Sequence, residues 1–124
     1  MSKNWATEPR EGQRWTGNVV PDPYRVRVIR GRTVTTIELS GDLDLGAQET
    51  IERALRDALA EPAALRLLVD ARDVTYVDTI AIHASFVKAR EAAHAAGMSF
   101  HVLPSATVRR ALEVTGLDDV LQEP

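Results

Sequence analysis

The residues of this chain best suited to chemistry are acidic and hydroxylic. Asp42 and Asp44 follow one run of strand-forming residues, Asp70 and Asp73 follow another, and Asp78 with Thr79 stands where "VTYV" gives way to a helical pattern. Carboxylates gathered at loops beyond strand ends could hold Mg²⁺ for transfer of a phosphoryl group to an aspartate. That chemistry also needs a lysine at the site to neutralise the phosphate. The two lysines are badly placed for it, Lys3 in an N-terminal tail and Lys88 well inside a helix.

The histidines offer less. His83 and His94 fall on one face of the same helical pattern but about 16 Å apart along its axis, too far to share a metal. His101 has no acidic neighbour in sequence. No Gly-rich phosphate loop, His-Glu-x-x-His or Gly-x-Ser-x-Gly motif is present. No metal, cofactor or catalytic residue is therefore expected, and the chain reads as a protein that is not an enzyme. Thr79 keeps two readings. A side chain at a helix start accepts a hydrogen bond from a free backbone N–H, worth about 1 kcal/mol, and Asp78 alone can do that. The Thr79 hydroxyl is then either a second polar residue of the first turn or a group that another protein modifies.

The elements that must hold these residues fit one domain, since 124 residues is short for two. With 44% hydrophobic and 27% charged residues the composition is that of an ordinary globular chain. No apolar run approaches the roughly 20 residues that cross a bilayer, and the start "MSKNWATEPREGQRW" shows no apolar signal segment. A cytoplasmic protein without membrane contact is expected. The absence of cysteine excludes disulfides and thiol chemistry. A net charge of −3 with scattered arginines argues against nucleic acid as a partner.

Residues 1–23, with Pro9, Pro21, Pro23 and little apolar periodicity, read as a flexible tail that carries Trp5 and Trp15. The domain begins at residue 24 and runs to 124. Tyr24, Val26 and Val28 alternate with Arg25 and Arg27 as a half-buried strand, and Gly31 turns the chain into "TVTTIELS" to form a hairpin. Ile51, Ala54, Leu55, Ala58 and Leu59 recur at helical spacing, which predicts a helix over 47–60 that stops near Pro62. "LRLLVDA" at 65–71 reads as a strand covered on both faces. A helix over 79–96 closed by Gly97, a strand at 98–103, and a helix from Pro104-Ser105 to Gly116 with one further turn complete the chain. The order β-β-α-β-α-β-α predicts an α/β domain with a four-stranded mixed sheet and helices packed on it.

Three separated stretches, "GDLDLGAQETIERAL", "LLVDARDVTYVDT" and "PSATVRRALEVTGL", together resemble the STAS family, in particular the bacterial anti-sigma factor antagonists. The resemblance covers residues 24–121 and implies a single-domain STAS-like fold. In that family a Gly-Glu/Asp-Leu-Asp loop precedes the first helix, and Gly41, Asp42, Leu43 and Asp44 fit it without a gap. An Asp-Ser-Ser/Thr-Gly-Leu motif opens the second helix. There Asp78 matches the Asp, and Thr79 falls on the hydroxyl that an anti-sigma kinase phosphorylates. Ile80 replaces the second hydroxyl, Ala81 and His83 stand where the family has glycines, and Ile82 keeps the apolar character. The resemblance thus implies a partner, an anti-sigma factor of the serine/threonine kinase type. It would dock on Asp42, Asp44, Asp78, Thr79, Ile80, Ala81, Ile82 and His83, with phosphorylation of Thr79 as the off-switch. A STAS scaffold or ligand-binding module that is never phosphorylated is the other reading, and both leave a homodimer open.

Overall fold

The computed structural model describes residues 23–60 and 64–122. Apart from Pro23, the expected tail lies outside the described residues, as does Pro62. Four strands are joined in the order β1-β2-β3-β4. They are β1 (Tyr24–Arg30), β2 (Val34–Leu43), β3 (Arg66–Val77) and β4 (Ser99–Pro104), with helices α1 (Gln48–Leu59), α2 (Thr79–Ala95) and α3 (Ala106–Val114) between and after them. β1 and β2 form the antiparallel hairpin, while β2 with β3 and β3 with β4 are parallel, each pair bridged by a helix. The expected element order and mixed sheet are those observed.

One face of the sheet carries the core. Ile37 pairs with Val69 and Val69 with Val102, and all three are fully buried together with Leu67. Onto this face α1 brings Ile51, Leu55 and Ala58, α2 brings Ile82, Phe86 and Ala89, and α3 brings Val108 and Leu112. The only two phenylalanines of the chain meet here, Phe86 against Phe100 edge to face with centroids 6.0 Å apart, a geometry that adds about 1 kcal/mol to the burial itself. The opposite face of the sheet is half-buried or exposed. "LRLLVDA" is therefore covered on one side and not on both, for Leu68 and Asp70 on its other side remain half-buried.

Strands β2 and β3 are longer than their sequence pattern suggests. Asp42 and Asp73 lie within them and not beyond their ends. The reason is a pair of register shifts, one between Glu38 and Ser40 and one between Gly41 and Asp42, at each of which β3 carries an extra residue. Buried positions on β3 then step from Ala71 to Val74 to Val77, by three and not by two. Bulges of this kind bend a strand and re-aim its side chains, and here they fall where both strands approach the end that holds the motifs.

Two further devices fix the frame. Gly97, at φ 77°, ends α2 while Met98 N–H reaches back to the Ala93 carbonyl at 2.8 Å, a left-handed cap that needs glycine. Glu52 of α1 receives hydrogen bonds from Gln48 at 3.0 Å and from the buried Ser85 hydroxyl of α2 at 3.3 Å, with the Lys88 ammonium 3.6 Å away. The Gln48 hydrogen bond first, then Lys88 and Ser85, hold the Glu52 carboxyl below its ordinary value despite partial desolvation.

Gly41 lies at φ 85°, and a Cβ there would stand 2.3 Å from the Pro23 carbonyl oxygen. Gly41→Ala is expected to lower stability in urea denaturation by about 2 to 3 kcal/mol, from strain and displacement of the chain at Pro23. Because folding lowers the Glu52 pKa, its contribution is complete above the unfolded-chain value and fades as pH falls through the folded-state value. The melting-temperature gap between wild type and Glu52→Gln should thus shrink between pH about 7 and about 3. A gap that widened toward acid would contradict this arrangement.

Candidate partner-docking site

The parallel pairing of β2 with β3 ends at Leu43 opposite Val77, and the next donor, Asp78 N–H, still reaches the Leu43 carbonyl at 2.8 Å. This one bond holds the start of α2 against the loop that follows β2. The two motifs, some 35 residues apart in sequence (Leu43 to Asp78), thereby become one surface. Asp44 begins the 3-10 turn Leu45–Ala47 in extended conformation, with its side chain exposed and not engaged in capping. Asp42 is also exposed and accepts a 2.6 Å hydrogen bond from the Thr75 hydroxyl on β3.

At the start of α2 the cap is Asp78, whose Oδ1 accepts from Ala81 N–H at 2.9 Å. Thr79, the first helical residue, is left without a capping duty and is half-buried. It lines a cavity of ≈ 260 Å³ together with Tyr76 and Val77 at the end of β3 and Thr107, Arg110, Ala111 and Val114 on α3. The remaining motif residues divide sharply. Ile80 is 81% exposed, Ala81 and Ile82 are buried at 5% and 2%, and His83 is half-buried. Ala81 and Ile82 thus belong to the interior and support the surface from below. Among the expected docking residues, a partner can touch Asp42, Asp44, Asp78, Thr79, Ile80 and His83.

Residues that the motifs did not point to complete this surface. Of the six large apolar side chains exposed among the described residues, Leu45, Tyr76, Ile80 and Val114 lie at this end of the sheet. Thr79 sits among them, with Tyr76 and Val114 sharing its cavity. Tyr76 lies just past the second bulge of β3, beside the buried Val77, with its own side chain exposed. Val114 ends α3 on the side away from the core stripe of Val108, Ala111 and Leu112.

The other acidic candidates are not gathered here. Asp70 lies on the open face of the sheet, where Arg72 forks onto it with bonds of 2.9 and 2.8 Å, and that pairing keeps the Asp70 carboxyl below its ordinary range. Among the described residues no three His, Asp or Glu side chains approach closely enough to hold a metal ion, and no helix is long and apolar enough to cross a membrane.

This arrangement is that of a known class. The family model described as "Mlab, STAS domain" matches residues 26–123, and the chain belongs to that STAS-domain family. Among solved structures, the anti-sigma factor antagonist SpoIIAA in its unphosphorylated form superposes with a TM-score of 0.70 at 20% identity, over 81% of this chain and 88% of that one. The Bacillus cell fate determinant SpoIIAA in the phosphorylated form gives 0.65 at 20% identity, over 81% and 91%. An anti-sigma factor antagonist from Mycobacterium paratuberculosis gives 0.66 at 21% identity, over 84% and 87%. At such identities the likeness is one of fold. Comparison with curated proteins returns no match.

Asp78→Ala should cost about 1 kcal/mol in urea denaturation through the lost cap, while Asp78→Asn, which keeps an accepting oxygen, should cost only a few tenths. Equal losses for the two would show that charge, and not the hydrogen bond to Ala81, is what Asp78 contributes.

Proposed function

We propose that this domain is an anti-sigma factor antagonist that works by binding and release, without catalysis of its own. In the unmodified state it docks on an anti-sigma factor of the serine/threonine kinase type and so frees a sigma factor for transcription, an action located in the cytoplasm. The observation that carries this reading is the set of exposed apolar residues at one end of the sheet, Leu45, Tyr76, Ile80 and Val114, of which Tyr76 and Val114 share a cavity with a hydroxyl that its own helix cap leaves unused. Exposed apolar side chains grouped in this way mark protein interaction surfaces. The carboxylates Asp42 and Asp44 at the rim suit a partner with an apolar centre and basic margin.

The switch follows from chemistry at Thr79. Its Oγ1 forms a bond to the γ-phosphorus of the kinase's nucleoside triphosphate, the bond to the departing diphosphate breaks, and the hydroxyl proton passes to a base on the kinase. The product carries about 1.5 to 2 negative charges at neutral pH, hydrated and set among the apolar docking residues. Each 1.4 kcal/mol lost on docking lowers affinity about tenfold.

A specific feature favours a second reading, in which the domain is a STAS scaffold that is never phosphorylated. Thr79 is half-buried against α3, whereas the neighbouring crown position is Ile80, which has no hydroxyl. The two readings separate in one experiment. Wild type, Thr79→Ala and Thr79→Glu are used as baits in a lysate of the native organism, captured proteins are identified by mass spectrometry, and the Thr79 peptide from cells is searched for phosphate. The switch predicts an anti-sigma kinase held by wild type and Thr79→Ala, with Thr79→Glu weaker by about tenfold or more. The same kinase held equally by all three baits, with no phosphate on Thr79, would leave the scaffold.

A further inference from the structure

The docking surface gives Arg110 no role, yet its position is specific. Thr107, Arg110 and Val114 stand at i, i+3 and i+7 on one face of α3, and with Tyr76 and Thr79 they line the cavity of ≈ 260 Å³ at the start of α2. Arg110 is exposed and is the one charged side chain lining this cavity among the described residues. Of the carboxylates nearby, Asp78 accepts from the Ala81 N–H and Asp42 from the Thr75 hydroxyl, while Glu113, one turn on along α3, lines a separate depression with Arg110.

A phosphate on Thr79 would sit one residue from the Asp78 carboxylate and at the end of the sheet that bears Asp42 and Asp44. The N–H groups of the first helical turn offset part of that charge. One of them, Ala81 N–H, is already taken by Asp78. The dianion therefore needs a cation within reach, and a guanidinium supplies charge and paired donors together. We propose that the cavity between the end of β3 and α3 is the receptor for the phosphoryl group of Thr79, with Arg110 as its cationic fork and the Thr107 hydroxyl as a second donor. This inference rests on Thr79 being the phosphoacceptor and states what the modified side chain does next. The phosphate turns inward and ties α2 to α3. It also brings charge and water between Tyr76 and Val114, two of the four exposed apolar residues of the docking surface, so the surface is spoiled from its own side.

The test uses the full chain with phosphothreonine installed at position 79 during synthesis, in wild type, Arg110→Gln and Arg53→Gln forms. Arg53 is exposed on α1 and serves as a control for net charge. The second ionisation of the phosphate is followed by ³¹P NMR titration. In wild type and Arg53→Gln it should lie at least about half a pH unit lower than in Arg110→Gln. Unmodified Arg110→Gln should keep the wild-type melting temperature, and the phosphorylated variant should melt below phosphorylated wild type. Superimposable titrations for wild type and Arg110→Gln would overturn the receptor. Because the phosphate is installed chemically, this outcome is independent of whether a kinase acts on Thr79, which the search for the cellular phosphopeptide decides separately.

Discussion

The hydrogen bond from Asp78 N–H to the Leu43 carbonyl is the constraint on which the candidate docking end of the molecule depends. It is the last rung of the parallel β2/β3 ladder, carried one residue past the strands to the residue that caps a helix. A ladder rung fixes direction as well as distance. It therefore sets the angle at which α2 leaves the sheet and the height of its first turn relative to the loop after β2. Asp78 serves twice at this junction, with its backbone N–H bonded to β2 and its carboxylate capping α2. Thr79 gains its availability from that double use, since the residue before it has met the local backbone demands.

Much of the frame was legible in the sequence because its core obeys simple periods. Tyr24, Val26 and Val28 alternate, and Ile82, Phe86, Ala89 and Ala93 step around α2 at helical spacing, and both sets pack inward. The glycine after α2 and the Ser105 cap of α3, whose hydroxyl accepts from Val108 N–H at 3.2 Å, stand where local chemistry predicts them. The lower half of β3 was not legible, because two bulges replace period two with period three just where Asp73, Thr75 and Tyr76 occur. Alternation cannot be read through an inserted residue.

The site shows the same division. The adjacency of the "GDLD" loop and the start of α2 was available through the family resemblance, and the structure gives it a physical basis in the β2/β3 pairing. A motif, however, records positions and not directions. Ala81 and Ile82 stand in the motif and face the interior, while Tyr76, Val114 and Arg110 stand outside it and face Thr79. The α3 residues are the harder case, since their approach to Thr79 depends on how α3 lies over β3 and α2, which no local spacing encodes.

The two edges of the sheet have a further consequence. At the outer edge of β4, Leu121 bridges Val102 and Gln122 N–H bonds the Val102 carbonyl at 2.8 Å, so the chain lays its own final described residues along that border. At the other border, β1 turns Arg25 and Arg27 outward beside an exposed Arg30. Charged side chains on one edge strand and a covering segment on the other are the means by which sheets resist growth by strand addition. A sheet guarded in this way is poorly suited to self-association into extended ribbons. What remains open to contact is the helix-and-loop end, with its exposed Leu45, Tyr76, Ile80 and Val114.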